Sequence, residues 1–269
     1  TSMIFWGPPG VGKTTVAKCI VDEIVGPGVD TLGREFNSSG EKGVKAMTLS
    51  LKQFCSKDGG RIVILDEADN ISEKHQADIV GVMKSFESCR FIFICNDIKK
   101  IIEDIQSVSS IIRFQALSNN QIYKYLQAIC SIEDIPYSKD GLDMITYVSQ
   151  GDMRKAINEL QKTAFTFKKI MKSTVLAMCN IPDPIKIKAI VDACLNKDHN
   201  ALTLLEELLD EGYYMLELCD GFINVLIDHD LPEDTRIEMI DKIYETKAIM
   251  TSGTKSKLQL YAMVAKLIE

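Results

Sequence analysis

The stretch that most constrains this chain is Gly7-Pro8-Pro9-Gly10-Val11-Gly12-Lys13-Thr14-Thr15. It follows the apolar run Met3-Ile4-Phe5-Trp6 and opens a helical pattern from Thr14 to Ile24. Strand, glycine-rich loop, helix is the order that turns a G-x-x-x-x-G-K-T match into a phosphate-binding loop. Glycines let the backbone curl so that successive N–H groups converge on one anion. The helix N-terminus adds unsatisfied donors and a partial positive charge. Lys13 supplies a mobile ammonium for β- and γ-phosphates, and Thr14 a hydroxyl for Mg2+. A plain Gly-Pro turn before a helix is the alternative, and the full motif in its context outweighs it.

The loop heads an alternating pattern over residues 1–115. Strands are expected at Ser2–Trp6, Glu35–Asn37, Arg61–Leu65, Phe91–Cys95 and Ile111–Phe114, with helical patterns at 13–25, 43–55, 72–87 and 98–106 between them. Three of the strands are continuously apolar, the mark of parallel strands buried on both faces. The expectation is an α/β core with crossover helices. After Gln115 the strand signal fades. Ser118-Asn119-Asn120-Gln121 reads as a capping box opening a helix to about Cys130. Two more helices, from Ser138 to Ser149 and from Met153 to about Lys168, complete a three-helix unit over 116–178. Ile181-Pro182-Asp183-Pro184 then punctuates the chain, and residues 179–269 read as helical throughout. Leu202, Leu205, Leu208 and Leu209 share one helical face, which reads either as packing within a core or as an oligomerisation surface.

Composition narrows the function classes. The net charge of −7 argues against a free-standing nucleic-acid binder, though not against a subunit with a local DNA-facing patch. No apolar run approaches the ~18 residues of a membrane span, and no signal-peptide pattern opens the chain. The eight cysteines are scattered without a C-x-x-C pair, so they read as reduced, buried thiols. That points to the cytoplasm, or the nucleus in a eukaryotic host. His75, His199 and His229 read as isolated surface residues. A core strand within two residues of the start suggests that further residues precede Thr1.

The remaining chemistry lies at strand ends. Asp66-Glu67-Ala68-Asp69 follows the strand at Arg61–Leu65, where a carboxylate can face the nucleotide crevice. Asp66 is expected to hold Mg2+ through water, and Glu67 to activate the attacking water as general base. Asn96 ends the next apolar strand, where an amide would sit beside the γ-phosphate; a simple strand-ending Asn is the other reading. Arg154, one turn into the helix after Gly151-Asp152, could reach the γ-phosphate, and spacing alone does not decide between that and a surface Arg.

Gly7–Thr15, Asp66–Asp69, Cys95-Asn96, Arg113-Phe114 and Gly151-Asp152-Met153-Arg154-Lys155-Ala156-Ile157-Asn158 together resemble small subunits of replication factor C, in order and spacing. That family is the sliding-clamp loader of archaea and eukaryotes, a group of AAA+ ATPases. The resemblance extends through Asn37–Gly43 to Leu258-Gln259-Leu260. It implies a five-stranded parallel AAA+ core, a three-helix lid and a helical collar joining five subunits, with the sliding clamp and primer–template DNA as partners. By position it assigns Gly7, Pro8, Pro9, Gly10, Val11, Gly12, Lys13, Thr14, Thr15 and Arg154 to ATP, and Thr14 and Asp66 to Mg2+. Glu67 would be the base, Asn96 the first sensor and Arg154 the second.

Two departures qualify the likeness. The family's Ser-Arg-Cys, whose arginine enters the neighbouring subunit's ATP site, reads Ser107-Val108-Ser109 here. None of the six arginines stands next to Val108, though Arg113 lies four residues past Ser109. The family's DNA-tracking Arg-Arg reads Val80-Gly81, leaving Lys84, Lys99 and Lys100 as candidate DNA contacts or as solvated lysines. The upstream Tyr-Arg-Pro segment that covers adenine in the family is not in this sequence. The resulting expectation is a clamp-loader subunit that binds ATP but lends no arginine, suited to an end position in the spiral. A replication-fork maintenance ATPase and a nucleotide-binding structural subunit that does not hydrolyse ATP are the alternatives.

Overall fold

In the computed structural model the structure describes residues 1–25, 33–37, 41–57, 61–253 and 256–268. The resemblance drawn across Asn37–Gly43 therefore lies partly outside the described residues.

Strands and helices alternate as β1 (Ser2–Trp6), α1 (Lys13–Val25), β2 (Gly33–Asn37), α2 (Glu41–Cys55), β3 (Arg61–Asp66), α3 (Glu73–Ser85), β4 (Cys89–Cys95), α4 (Glu103–Ser107) and β5 (Ser109–Arg113). The five strands form one sheet in the order β2-β3-β4-β1-β5, every pairing parallel. This is the five-stranded parallel sheet expected from the sequence. Parallel pairing demands crossovers, and helices cover both faces as a result.

The continuous apolar runs divide by alternation. Ile4, Val63, Leu65, Phe91 and Phe93 join Leu51, Phe54, Ile79 and Val82 in one core, against α2 and α3. Phe5, Ile62, Ile64, Ile92 and Ile94 join Ala17 of α1 in the other. Each central strand thus serves two cores, which is why β3 and β4 carry no polar residue between Ile62 and Leu65 or between Phe91 and Ile94.

The helical pattern expected over 98–106 is broken. Ile98–Lys100 is a 3-10 turn, and α4 starts only at Glu103. Asp97 caps the turn by accepting from the Lys99 N–H at 3.0 Å. The buried Gln76 amide holds the break open. It donates to Ile71 O and Lys100 O, each at 2.8 Å, and accepts from the Ile102 N–H at 2.9 Å. Those bonds satisfy polar groups that would otherwise be costly to bury.

Among the described residues nine helices follow: α5 (Asn119–Ile132), α6 (Lys139–Ser149), α7 (Met153–Phe167), α8 (Lys172–Cys179), α9 (Pro184–Leu195), α10 (Asn200–Asp210), α11 (Met215–Asp228), α12 (Glu233–Thr251) and α13 (Lys257–Ile268). The capping box expected at Ser118 is formed. Its hydroxyl accepts from the Gln121 N–H at 3.4 Å, and the Gln121 side chain accepts from the Ser118 N–H at 2.9 Å. Asp183 caps α9 by accepting from the Ile185 N–H at 3.0 Å, with Pro184 in the first turn, where its missing N–H costs nothing.

Two compact units emerge from the contacts. One comprises Thr1–Pro136 with Ile145–Gln161, the other Tyr137–Met144 with Lys162–Glu269. The second has its own core, in which Leu205, Leu208 and Leu209 of the leucine stripe are buried and Leu202 packs at the margin. One histidine departs from expectation there. His229, read from the sequence as a surface residue, keeps only 12% of its side chain exposed, with Nε2 2.8 Å from Asp192 Oδ1. It sits at the end of α11, where Arg236 donates to its carbonyl at 3.4 Å.

Candidate active site

In a parallel sheet all strands end on the same edge, and that edge gathers the residues delivered by β1, β3 and β4. β1 runs into the glycine loop, β3 ends at Asp66, and Asn96 follows β4 directly. The site lies wholly within the first unit.

The loop's glycines answer to different neighbours. At Gly7 (φ +151) an added Cβ would stand 2.1 Å from the Phe114 carbonyl oxygen. Phe114 is held there by its N–H, which donates to Trp6 O at 2.8 Å. At Gly12 (φ +91) a Cβ would meet nothing within 4 Å. Its left-handed backbone faces open space instead, beside Lys13.

Lys13 is 7% exposed. Its ammonium donates to Gly7 O and Pro8 O, each at 2.7 Å, and to Asn96 Oδ1 at 2.9 Å. All three acceptors are uncharged. Burial pulls the Lys13 pKa below its ordinary value; the nearby Arg154 adds to this, while Cys95, Asp66 and Asp69 oppose it. A buried cation bonded only to neutral oxygens is a strong attractor for an anion.

The Thr14 hydroxyl donates to Asp66 Oδ2 at 2.8 Å. With its proton committed to the carboxylate, the hydroxyl oxygen keeps lone pairs for a hard cation. Asp66 Oδ1 accepts from the Glu67 N–H at 2.8 Å. Glu67 itself has φ 53, in the left-handed region. For a residue with a Cβ this is strained backbone, of the kind that concentrates at functional sites. The Asn70 amide donates to Glu67 Oε2 at 3.3 Å. Asp69, one short turn on, accepts from the backbone N–H groups of Asn96 at 3.0 Å and Asp97 at 3.3 Å.

These groups open on a cavity of about 510 Å³. Pro9, Gly10, Val11, Gly12, Lys13, Thr14, Thr15, Asp66, Glu67, Asn96 and Arg154 all line it. Gly7 and Pro8 do not. They act through carbonyls turned towards Lys13. Val16, Asp69, Ile94, Cys95, Leu117, Tyr125, Met153, Ile157 and Asn158 also line the cavity, and the sequence reading gave none of them a place in the site. Ile157 and Asn158 were findable, because they lie three and four residues beyond Arg154 on one helical face. Tyr125 carries no local signal.

The donor set fits a nucleoside triphosphate with Mg2+. There is a buried ammonium without a charged acceptor, a hydroxyl paired to a carboxylate, and a left-handed glycine beside open space. Among the described residues no cluster of His, Cys, Asp and Glu forms a separate metal site.

Residues 3–117 match the family described as ATPase family associated with various cellular activities. Residues 182–266 match the Replication factor C C-terminal domain. A protein from Acanthamoeba polyphaga mimivirus described as a replication factor C small subunit is 42% identical over 273 residues, spanning 99% of this chain and 86% of that protein. The replication factor C small subunit of Haloarcula marismortui is 33% identical, spanning 99% and 84% respectively. In fold, the chain is similar to the Thermotoga maritima RuvB Holliday junction branch migration motor, with a TM-score of 0.56 at 16% identity over 84% of this chain and 79% of that one. A phosphate loop on a five-stranded parallel sheet, and relatives of this identity over nearly the whole length, lead to one conclusion: the chain belongs to the replication factor C small-subunit family of AAA ATPases.

Proposed function

We propose that this chain is a clamp-loader subunit that binds ATP and Mg2+ in its own site and helps place a sliding clamp on primer–template DNA. The observation that carries the reading is the convergence of Lys13, Thr14, Asp66, Glu67 and Asn96 on one cavity at the end of the sheet. Lys13 and the N–H groups of Gly10 to Thr15 bind the phosphates. Thr14 and Asp66 would hold Mg2+, which when bound supplies positive charge to the phosphate oxygens. Glu67 takes the proton of the attacking water. Asn96 orients that water, and Arg154 contacts the γ-phosphate.

The site receives more than it gives. Val108, where the family carries its arginine finger, is 51% exposed and has no donor to offer a neighbour. An arginine finger is worth about 10³–10⁵ in rate, so hydrolysis here depends on an arginine from another subunit. Residues 116–178 would act as the lid and 179–269 as the collar that joins this chain to its partners in a hetero-oligomer. Val80 is buried and Gly81 exposed on α3, so neither contacts a DNA backbone by charge. The exposed Lys84, Lys99 and Lys100 are the lysines left for that role. Among the described residues no helix is long and apolar enough to cross a membrane.

Purification alone and with partner subunits tests the reading. The isolated chain should bind ATP yet turn over almost none, and the mixed complex should hydrolyse it. ATP binding by Lys13→Ala at wild-type strength would overturn the site assignment.

A further inference from the structure

We infer that Asp152 is the positioning residue that registers Arg154 on the phosphate-binding loop by seating against Gly10, whose left-handed backbone (φ +70) and missing Cβ both make room for it. An added Cβ at Gly10 would stand 1.7 Å from Asp152 Oδ1 and 2.2 Å from its Cγ. The contrast with Gly12, whose Cβ would meet nothing within 4 Å, is direct. One glycine leaves room for a ligand; the other leaves room for a side chain of the same protein.

The contact is reinforced from both sides. The Met153 N–H donates to Gly10 O at 3.1 Å. Asp152 Oδ1 also accepts from the Lys155 N–H at 3.0 Å, so the carboxylate that abuts the loop is the N-terminal cap of α7. Gly151 (φ +89) sets the turn into that cap, and its carbonyl accepts from the Leu117 N–H at 3.3 Å. Arg154 lies two residues beyond Asp152, inside the first turn of α7. Its distance from the phosphates is therefore fixed by how Asp152 seats on Gly10. Because the loop and the first turn of α7 share a backbone bond and a close side-chain contact, a change in the loop's curl moves Arg154 with it.

This rests on the reading that ATP fills the cavity with Arg154 at its γ-phosphate. The test measures binding of fluorescent ATP and ADP analogues to the full chain, with Lys13→Ala as the site control. The variants are Arg154→Ala, Asp152→Ala, Asp152→Asn, and Asp152→Ala with Arg154→Ala together. Wild type should prefer ATP. Arg154→Ala should cut that preference by about ten- to a hundredfold, the worth of a charge-assisted bond. Asp152→Ala should cut it equally, and the double variant no further. Asp152→Asn, which caps a helix as well as Asp, should keep it. A merely structural role would lower thermal stability and leave the ATP-to-ADP ratio intact. The inference falls if Asp152→Ala keeps the wild-type preference, or if the two losses multiply. If Asp152→Ala does not fold, Asp152→Ser keeps a helix-capping oxygen but ends one atom short of the carboxylate oxygens and should show the same loss; an unchanged preference there overturns the inference. A wild type that does not distinguish ATP from ADP, or a Lys13→Ala that binds ATP normally, brings down the parent reading and this inference with it.

Discussion

The Lys13 ammonium donates to Asn96 Oδ1 at 2.9 Å across 83 residues of chain. The bond joins the loop after β1 to the end of β4, two strands that pair in the sheet. The same ammonium holds the carbonyls of Gly7 and Pro8. On the proposed reading an arriving phosphate would compete with Asn96 for it, and the amide would respond directly to ligand at the loop. Asn96→Ala should therefore alter turnover in the assembled complex more than ATP affinity, as a split between kcat and KM would show.

Burial lowers the Lys13 pKa in the free protein, and phosphate should raise it again in the complex. The complex then holds a proton that the free protein gives up as pH rises. The sign is fixed: ATP affinity should weaken with rising pH, beginning below the ordinary lysine range. Titrations carried from neutral pH up through the ordinary lysine range would measure it. Lys13→Arg, charged throughout that range, should bind with no such decline. A flat wild-type profile would contradict the assignment.

Asp69 lines the cavity near Lys13 and also accepts from two consecutive N–H groups, Asn96 and Asp97. Those bonds aim the residue that Lys13 reads. Asp69→Ala should cost about 1 kcal/mol, the ordinary worth of partly exposed hydrogen bonds. It should also reproduce part of the Asn96→Ala phenotype. Thermal unfolding and turnover in the complex would test both halves.

Much of this was legible in the sequence, for identifiable reasons. The uninterrupted apolar runs in β3 and β4, set between helical patterns, read as strands covered on both faces, and Ser118 with Gln121 forms the box their spacing suggests. Lys13, Thr14 and Asp66 were readable because their motifs have fixed spacing. What the sequence withheld is relational. Asp152 against Gly10 depends on where α7 docks. Gln76 breaks the helix expected over 98–106 by bonding backbone 24 and 26 residues away. His229 looked exposed because its partner, Asp192, is 37 residues distant.

Glu67 holds a left-handed backbone at φ 53, and the Asp66 carboxylate fixes its N–H. Glu67→Gln keeps size and shape and removes the proposed base. It should bind ATP as wild type and lower this site's hydrolysis by about 10²–10⁴. Single-turnover measurement in the assembled complex, with ATP limiting, would detect it. An unchanged rate would favour a subunit that binds nucleotide without hydrolysing it.

Val108 offers a reverse test, because it is 51% exposed and caps the short α4 just before β5. An arginine there has room to extend into solvent, so Val108→Arg should change folding stability by no more than about 0.5 kcal/mol. The functional consequence depends on what lies opposite. If this chain occupies an end position with no ATP site across from residue 108, the new guanidinium has no phosphate to stabilise, and the ATPase rate of the complex should not change. If a partner's site lies opposite and lacks its arginine, the rate should climb towards the factor of about 10³–10⁵ that a finger can supply. We expect the unchanged rate. A large increase would show that a neighbour's ATP site faces Val108, and would move this chain from the end of the spiral to its interior.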